Sequence, residues 1–240
     1  MSKMIPITDD QKVYIANSIF RAIGQDLPEI IEENHLPTSL GSGLFRWNFI
    51  YRNLSGDPCI DFEISIQPRG AWRILFLRDK VTNLTFSIMS EATFQKLQKH
   101  PTKKAHYLEA LISENKNRKP LIEQLSLFTT PERDASDLKK LRDQLLSGFS
   151  GIVKEHVLVL FDYNFLGVTS ARAVLLTPKM EIAFSEDWTP YLQKQYIPPK
   201  YLVEHDEDDN QLLAKLKPQF VSDQDTIVKP IQKEFNQKID

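Results

Sequence analysis

The chain is poor in cysteine: Cys59 stands alone among 240 residues. An intramolecular disulfide is therefore excluded, and nothing calls for an oxidising compartment. Long apolar runs are missing as well, and none approaches the roughly 18–20 residues that a membrane span needs. The opening Met1-Ser2-Lys3-Met4-Ile5-Pro6 lacks the apolar core of a signal peptide. These absences predict a soluble chain of the cytoplasm with no membrane partner.

Several chemistries lack their residues. Gly41-Ser42-Gly43 has no third glycine and no following Lys-Ser or Lys-Thr, so it reads as a hinge or turn and not as a phosphate cradle. One cysteine and five scattered histidines give no zinc spacing. His100 and His106 stand six apart across a proline, and no His-Glu-x-x-His occurs. Neither a metal nor a cofactor is expected. A Gly-x-Ser-x-Gly elbow is absent too. Cys59, beside Pro58, reads as a small apolar filler.

What is present suits a folded core: 41% hydrophobic residues, with 14 Phe, 7 Tyr and 3 Trp. The net charge of −2 hides a sign asymmetry. From Thr93 to Lys119 there are seven basic residues and two acids, whereas from Glu181 to Asp240 there are twelve acids and seven lysines. Such asymmetry concerns partners and long-range fields, not the fold.

Thr8-Asp9-Asp10 caps a helix whose apolar positions recur at Val13, Ile15, Ile19 and Ile23, and Pro28 interrupts or restarts it. Phe45–Leu54 reads as an amphipathic helix with Phe45, Phe49 and Ile50 on one side. Ile60–Ile66 alternates apolar with polar residues, as a half-buried antiparallel strand does. Trp72–Leu77 and Leu84–Ile88 follow as strands. Ser90 caps a helix over 91–100, and Thr102 caps another over 103–114. Asp134–Leu146 is a helix. The unbroken apolar run Val157–Phe161 predicts a central strand, followed by strands over 168–176 and 181–184. The expected fold class is α+β, with antiparallel sheets in two meander-like three-stranded runs flanked by helices. Residues 1–197 form the globular domain, and 198–240 an acidic appendage, partly helical or disordered.

The only hint of catalysis is a carboxylate pair. Asp61 and Glu63 share one face of a strand, as Mg²⁺ ligands of a nuclease do. The next strand supplies no matching acid, so a solvated polar face explains them as well. Lys96, Lys99, Lys103 and Lys104 form a candidate phosphate track, although aromatic residues are sparse among them. Solvated helix lysines are the plain alternative.

The sharpest local signal is Gln124-Leu125-Ser126-Leu127-Phe128. It resembles the short peptide by which bacterial replication and repair proteins dock on the sliding clamp. Leu127 and Phe128 are suited to fill an apolar pocket, and Gln124 to hydrogen-bond at its rim. A buried connector is the alternative.

A broader resemblance rests on four segments. They are Gly43-Leu44-Phe45-Arg46-Trp47-Asn48-Phe49-Ile50, the hairpin 72–90, His106-Tyr107-Leu108-Glu109-Ala110-Leu111, and Glu186-Asp187-Trp188-Thr189-Pro190-Tyr191. Together they resemble the domain of unknown function 5986, a family of Gram-positive bacteria and their phages. The resemblance spans most of 1–196 and implies no known activity. Arg46, Trp47 and Trp72 are candidates for a pocket wall, because arginine stacks on aromatic faces. The expectation is an interaction protein with a macromolecular partner. A metal-dependent nuclease and a small-ligand sensor are the alternatives, and the oligomeric state is not legible.

Overall fold

Among the described residues six strands hydrogen-bond into one sheet, in chain order. The structure is a computed structural model that describes residues 4–35, 41–56, 61–100, 104–115, 118–121 and 133–192. The strands are β1 (Phe62–Arg69), β2 (Trp72–Asp79), β3 (Leu84–Ser90), β4 (Glu155–Asn164), β5 (Gly167–Leu176) and β6 (Ile182–Asp187). Neighbours run antiparallel except β3 and β4, which are parallel, with Phe86 opposite Val157. The fold is α+β, but the expected set of antiparallel sheets is a single mixed sheet. A parallel pair needs a long crossover. Residues 91–154 supply it, carrying α4 (Glu91–Lys99), α5 (Tyr107–Ile112) and α6 (Ala135–Leu146).

Side chains alternate along each strand, so the sheet has two faces. Phe62, Leu77, Phe86, Val157 and Phe161 pack against Ile15 and Ile19 of α1 (Asp9–Arg21) and Ile50 and Leu54 of α3 (Ser42–Ser55). Phe76, Leu158, Leu160 and Val174 face the other way, onto Phe94 of α4, Leu108 and Leu111 of α5, and Leu145 of α6. Val157–Phe161 is thus buried on both faces, which is why it carries no polar residue.

The helices depart from expectation at three places. Thr8 and Gln11 form a capping box at the start of α1. The helix then runs through a π-helical turn at Ala22–Asp26 into α2 (Leu27–Glu33), so Pro28 does not break it. The widened turn absorbs the donor and space that proline removes. In α3, Phe45 is 36% exposed, while Ile50 and Leu54 are buried and Trp47 packs edge-on to Phe161 at 6.0 Å. Helix α5 starts at Tyr107. His106 caps it, its Nδ1 accepting the Leu108 N–H at 3.3 Å while the Glu109 carboxylate accepts the His106 N–H at 3.2 Å. Thr102 and Lys103 lie outside the described residues.

Between α6 and β4 the backbone crosses β1 and β2 at close range. A Cβ on Gly148 would stand 2.0 Å from Ser65 Oγ, and one on Gly151 1.8 Å from Arg78 Nη2. Space, not a left-handed backbone, requires these glycines, since neither has a positive φ. Arg78 cannot swing away because three partners hold it. Gly151→Ala is therefore expected to lower the unfolding free energy by roughly 1–3 kcal/mol, as overpacking does. Chemical denaturation followed by circular dichroism checks this; a midpoint equal to wild type refutes it.

Candidate functional site

Asp61 and Glu63 are put to separate uses. Asp61 lies just before β1 and, with Thr8, Asp10, Gln11, Asp79 and Thr82, lines an open cleft of about 360 Å³. Asp79 is buried there, with Oδ1 accepting from Gln11 Nε2 at 2.9 Å and Oδ2 from the Thr82 N–H and hydroxyl at 2.7 and 2.5 Å. Among the described residues no group of three or more His, Cys, Asp or Glu is placed to hold a metal ion. Glu63 is turned away from this cleft's chemistry. Its Oε2 pairs with Arg78 Nη1 in a short contact, and its Oε1 accepts the Ser150 N–H at 3.0 Å and hydroxyl at 3.1 Å. The Ser150 N–H is the chief cause holding this carboxyl below its ordinary range, and Arg78 adds to it against the opposing effect of burial. The polar face of β1 is therefore covered by the 147–152 segment, not solvated: Ser65 is buried and Glu63 half-buried.

Other buried ionisable groups are also committed internally. His156 bridges two hydroxyls, Thr85 Oγ1 at 2.9 Å from Nδ1 and Ser87 Oγ at 2.8 Å from Nε2. Burial pushes its pKa down to about 3, so the ring is neutral. Asn115, also buried, links the carbonyls of His156 and Leu176 and accepts the His156 N–H. Lys12 is buried in α1 with its ammonium 2.7 Å from Glu186 Oε1. Desolvation opposes its charge, but Glu186, Tyr191 and Asp9 outweigh this, and its pKa is raised. Bidentate pairs Arg118–Glu155 and Arg172–Glu91 tie a connector and α4 to the sheet, and Arg133–Glu109 ties the segment before α6 to α5.

One end of the sheet differs. Gly70 and Ala71 close the β1–β2 hairpin as a two-residue loop, with Arg69 opposite Trp72. Gly70 has φ 60° and Ala71 does not have positive φ, as a type II′ turn requires. The pairing puts Arg69 and Trp72 side by side on the face that carries α5. Arg69 lies over the Tyr107 ring at 4.3 Å, and the His106 ring packs tilted against Tyr107 at the same centroid distance. Burial, with the Arg69 charge second, lowers the His106 pKa to about 4. Burial also raises the Tyr107 and Tyr51 hydroxyls. His106 Nδ1 accepts a backbone N–H, so the ring proton of the neutral form sits on Nε2. That atom has no partner among the described residues and is not sealed from solvent.

The cations at this end are available. Arg52, Arg78, Arg118, Arg133, Arg142 and Arg172 all sit in ion pairs. Arg69 and Arg73 are exposed and, among the described residues, pair with no carboxylate. Between them Trp72 is 57% exposed.

The candidate pocket wall is divided. Arg46 of α3 lies over the Tyr163 ring at 4.0 Å and donates to its hydroxyl at 2.6 Å, and Trp47 packs on the same face of the sheet. Trp72 alternates with Ile74 and Phe76 and so belongs to the opposite face. The three do not line one cavity. Lys96 and Lys99 are exposed on α4, and Lys104 is exposed two residues before His106. Lys103 and the whole of Gln124-Leu125-Ser126-Leu127-Phe128 lie outside the described residues, as do residues 193–240 with the expected appendage.

Fold and site together describe an α+β protein whose helices cover both faces of one mixed sheet and whose hairpin end is cationic and aromatic. The chain belongs to a family of unknown function, DUF5986, whose model matches residues 4–230. The match runs beyond the segments that carried the resemblance and takes in most of the acidic stretch after residue 198. Neither the curated proteins nor the solved structures gave a match to this chain. Among the described residues no helix is long and apolar enough to cross a membrane.

Proposed function

We propose that this chain is an interaction protein that binds an anionic macromolecule at the Arg69–Arg73 hairpin. One observation carries the reading: two exposed arginines that pair with no carboxylate among the described residues flank an exposed tryptophan, whereas Arg78, Arg118, Arg133, Arg142 and Arg172 are each matched to a carboxylate. Two guanidiniums that pair with no carboxylate among the described residues, on a two-residue hairpin, suit an external anion. The nuclease reading loses support because both oxygens of Glu63 are engaged by Arg78 and Ser150.

Retention on an immobilised polyanion such as heparin tests this. Wild type is expected to be retained at low salt, with elution shifting steeply as salt rises. Arg69→Ala/Arg73→Ala is expected to elute much earlier, and Lys96→Ala/Lys99→Ala to shift less. Retention of the arginine variant equal to wild type would sink the proposal. The clamp-like pentapeptide supports a protein partner on sequence grounds alone, and Leu127→Ala/Phe128→Ala in a clamp pull-down addresses it separately.

A further inference from the structure

We infer that the anion is a single strand of nucleic acid, with an unpaired base stacked on Trp72 and its phosphates held by Arg69 and Arg73; this rests on the function proposed above. Charge alone does not separate a phosphate backbone from an acidic peptide. The exposed indole does. A tryptophan on a hairpin tip, more than half open to solvent, offers a flat π face that aliphatic carboxylates cannot use but any nucleobase can. The face is open only to a base outside a duplex, because paired bases are already stacked on one another.

The surroundings fit a nucleotide. Arg69 is cross-strand to Trp72, so a guanidinium lies beside the indole on the same face. Its plane is braced by the Tyr107 ring at 4.3 Å, which limits its freedom before any ligand arrives. Arg73 follows Trp72 on the strand and points to the other face, so a strand that stacks on the indole and passes over the hairpin meets a second cation there. His106, against Tyr107, adds a neutral Nε2–H donor suited to a phosphate or base oxygen. Sequence selectivity is expected to be weak, since stacking and phosphate contacts read no base edge.

The test is fluorescence anisotropy with the full chain and labelled oligothymidine, a duplex of equal length, and polyglutamate as competitor. Intrinsic fluorescence is read in parallel: Trp188 is fully buried and Trp47 half-buried, so Trp72 is the indole a ligand can reach. Single strand is expected to bind and quench. Trp72→Ala should weaken binding roughly ten- to hundredfold, the range of one lost base stack, and Trp72→Phe much less. Duplex binding as tight as single strand, preference for polyglutamate, or Trp72→Ala binding as wild type would each overturn the inference. If the arginine-dependent heparin retention persists in that event, the broader proposal survives; if it is lost too, both fall. The replaced side chains are exposed, and an unchanged thermal melt of each variant confirms that folding is not the cause.

Discussion

Glu63→Ala is expected to cost about 3 kcal/mol of stability or more, because it strands a buried cation. Arg78 is only 7% exposed. Its Nε reaches the Ile152 carbonyl at 3.3 Å and its Nη2 the Asn83 side-chain oxygen at 2.7 Å, but among the described residues only Glu63 supplies a countercharge. The same carboxylate anchors Ser150, so the variant also loosens the segment that covers β1. Replacing both partners with apolar residues, Glu63→Leu/Arg78→Met, is expected to recover most of the loss, since no charge is then left unpaired. Urea denaturation of wild type, Glu63→Leu, Arg78→Met and the double variant gives the coupling directly. The carboxyl's pKa is lowered, so its stabilisation is present above its unfolded value of 4.5 and is lost as pH falls through the lower folded value. A single-variant loss below about 1 kcal/mol, the range of exposed ion pairs, would contradict this account.

A second large effect is acid sensitivity centred on His156. The folded ring has a pKa of about 3, against 6.5 for an unperturbed histidine. Its folded value is depressed, so the unfolded chain takes up the proton first. Stability is therefore full above about pH 6.5 and falls steadily as the solution is acidified toward pH 3. At about 1.4 kcal/mol per pKa unit, the loss from this one ring approaches 4–5 kcal/mol at the acid limit. His106, lowered to about 4, adds a smaller contribution of the same sign. His156→Gln is expected to be less stable at neutral pH, because Thr85 and Ser87 lose a well-fitted partner. Its stability should nonetheless decline less between pH 6.5 and 4 than that of wild type. Parallel slopes for the two proteins would show that the ring does not titrate as described.

Much of the fold was legible because strand alternation leaves a mark in the residues. Phe62, Ile64 and Ile66 mark β1 as a strand but not its burial, since Ser65 is buried and Ile66 exposed, whereas Val157–Phe161 marks a strand covered on both faces. The partner of Glu63 was legible too, though only by counting. Once Gly70-Ala71 is taken as a two-residue turn, Arg69 faces Trp72, and each step back along one strand is a step forward along the other. Six steps bring Glu63 opposite Arg78. The cover over this pair left a fainter trace, in the two glycines Gly148 and Gly151 that precede β4.

Other features have no local signature. Alternation says which face a side chain takes but not which strand lies alongside, so the parallel β3–β4 pair was invisible. His156 reads as a polar residue opening a strand, and its burial depends on Thr85 and Ser87 some 70 positions away. Arg46, Trp47 and Trp72 were grouped by chemistry alone, yet the sheet passes between them. A helix capped by Thr102 takes His106 into its interior, because a capping histidine is less common than the threonine that stands nearby, yet His106 is itself the cap.

The parallel pair also bears on how the molecule assembles. β1 with β2, and β4 with β5, join residues close along the chain and can zip from their turns. Leu84 and Glu155, by contrast, must find each other across a span of about 70 residues while a layer of helices is threaded between them. Assembly of the sheet's middle is thus the entropically demanding event, because that one seam joins β1–β3 to β4–β6.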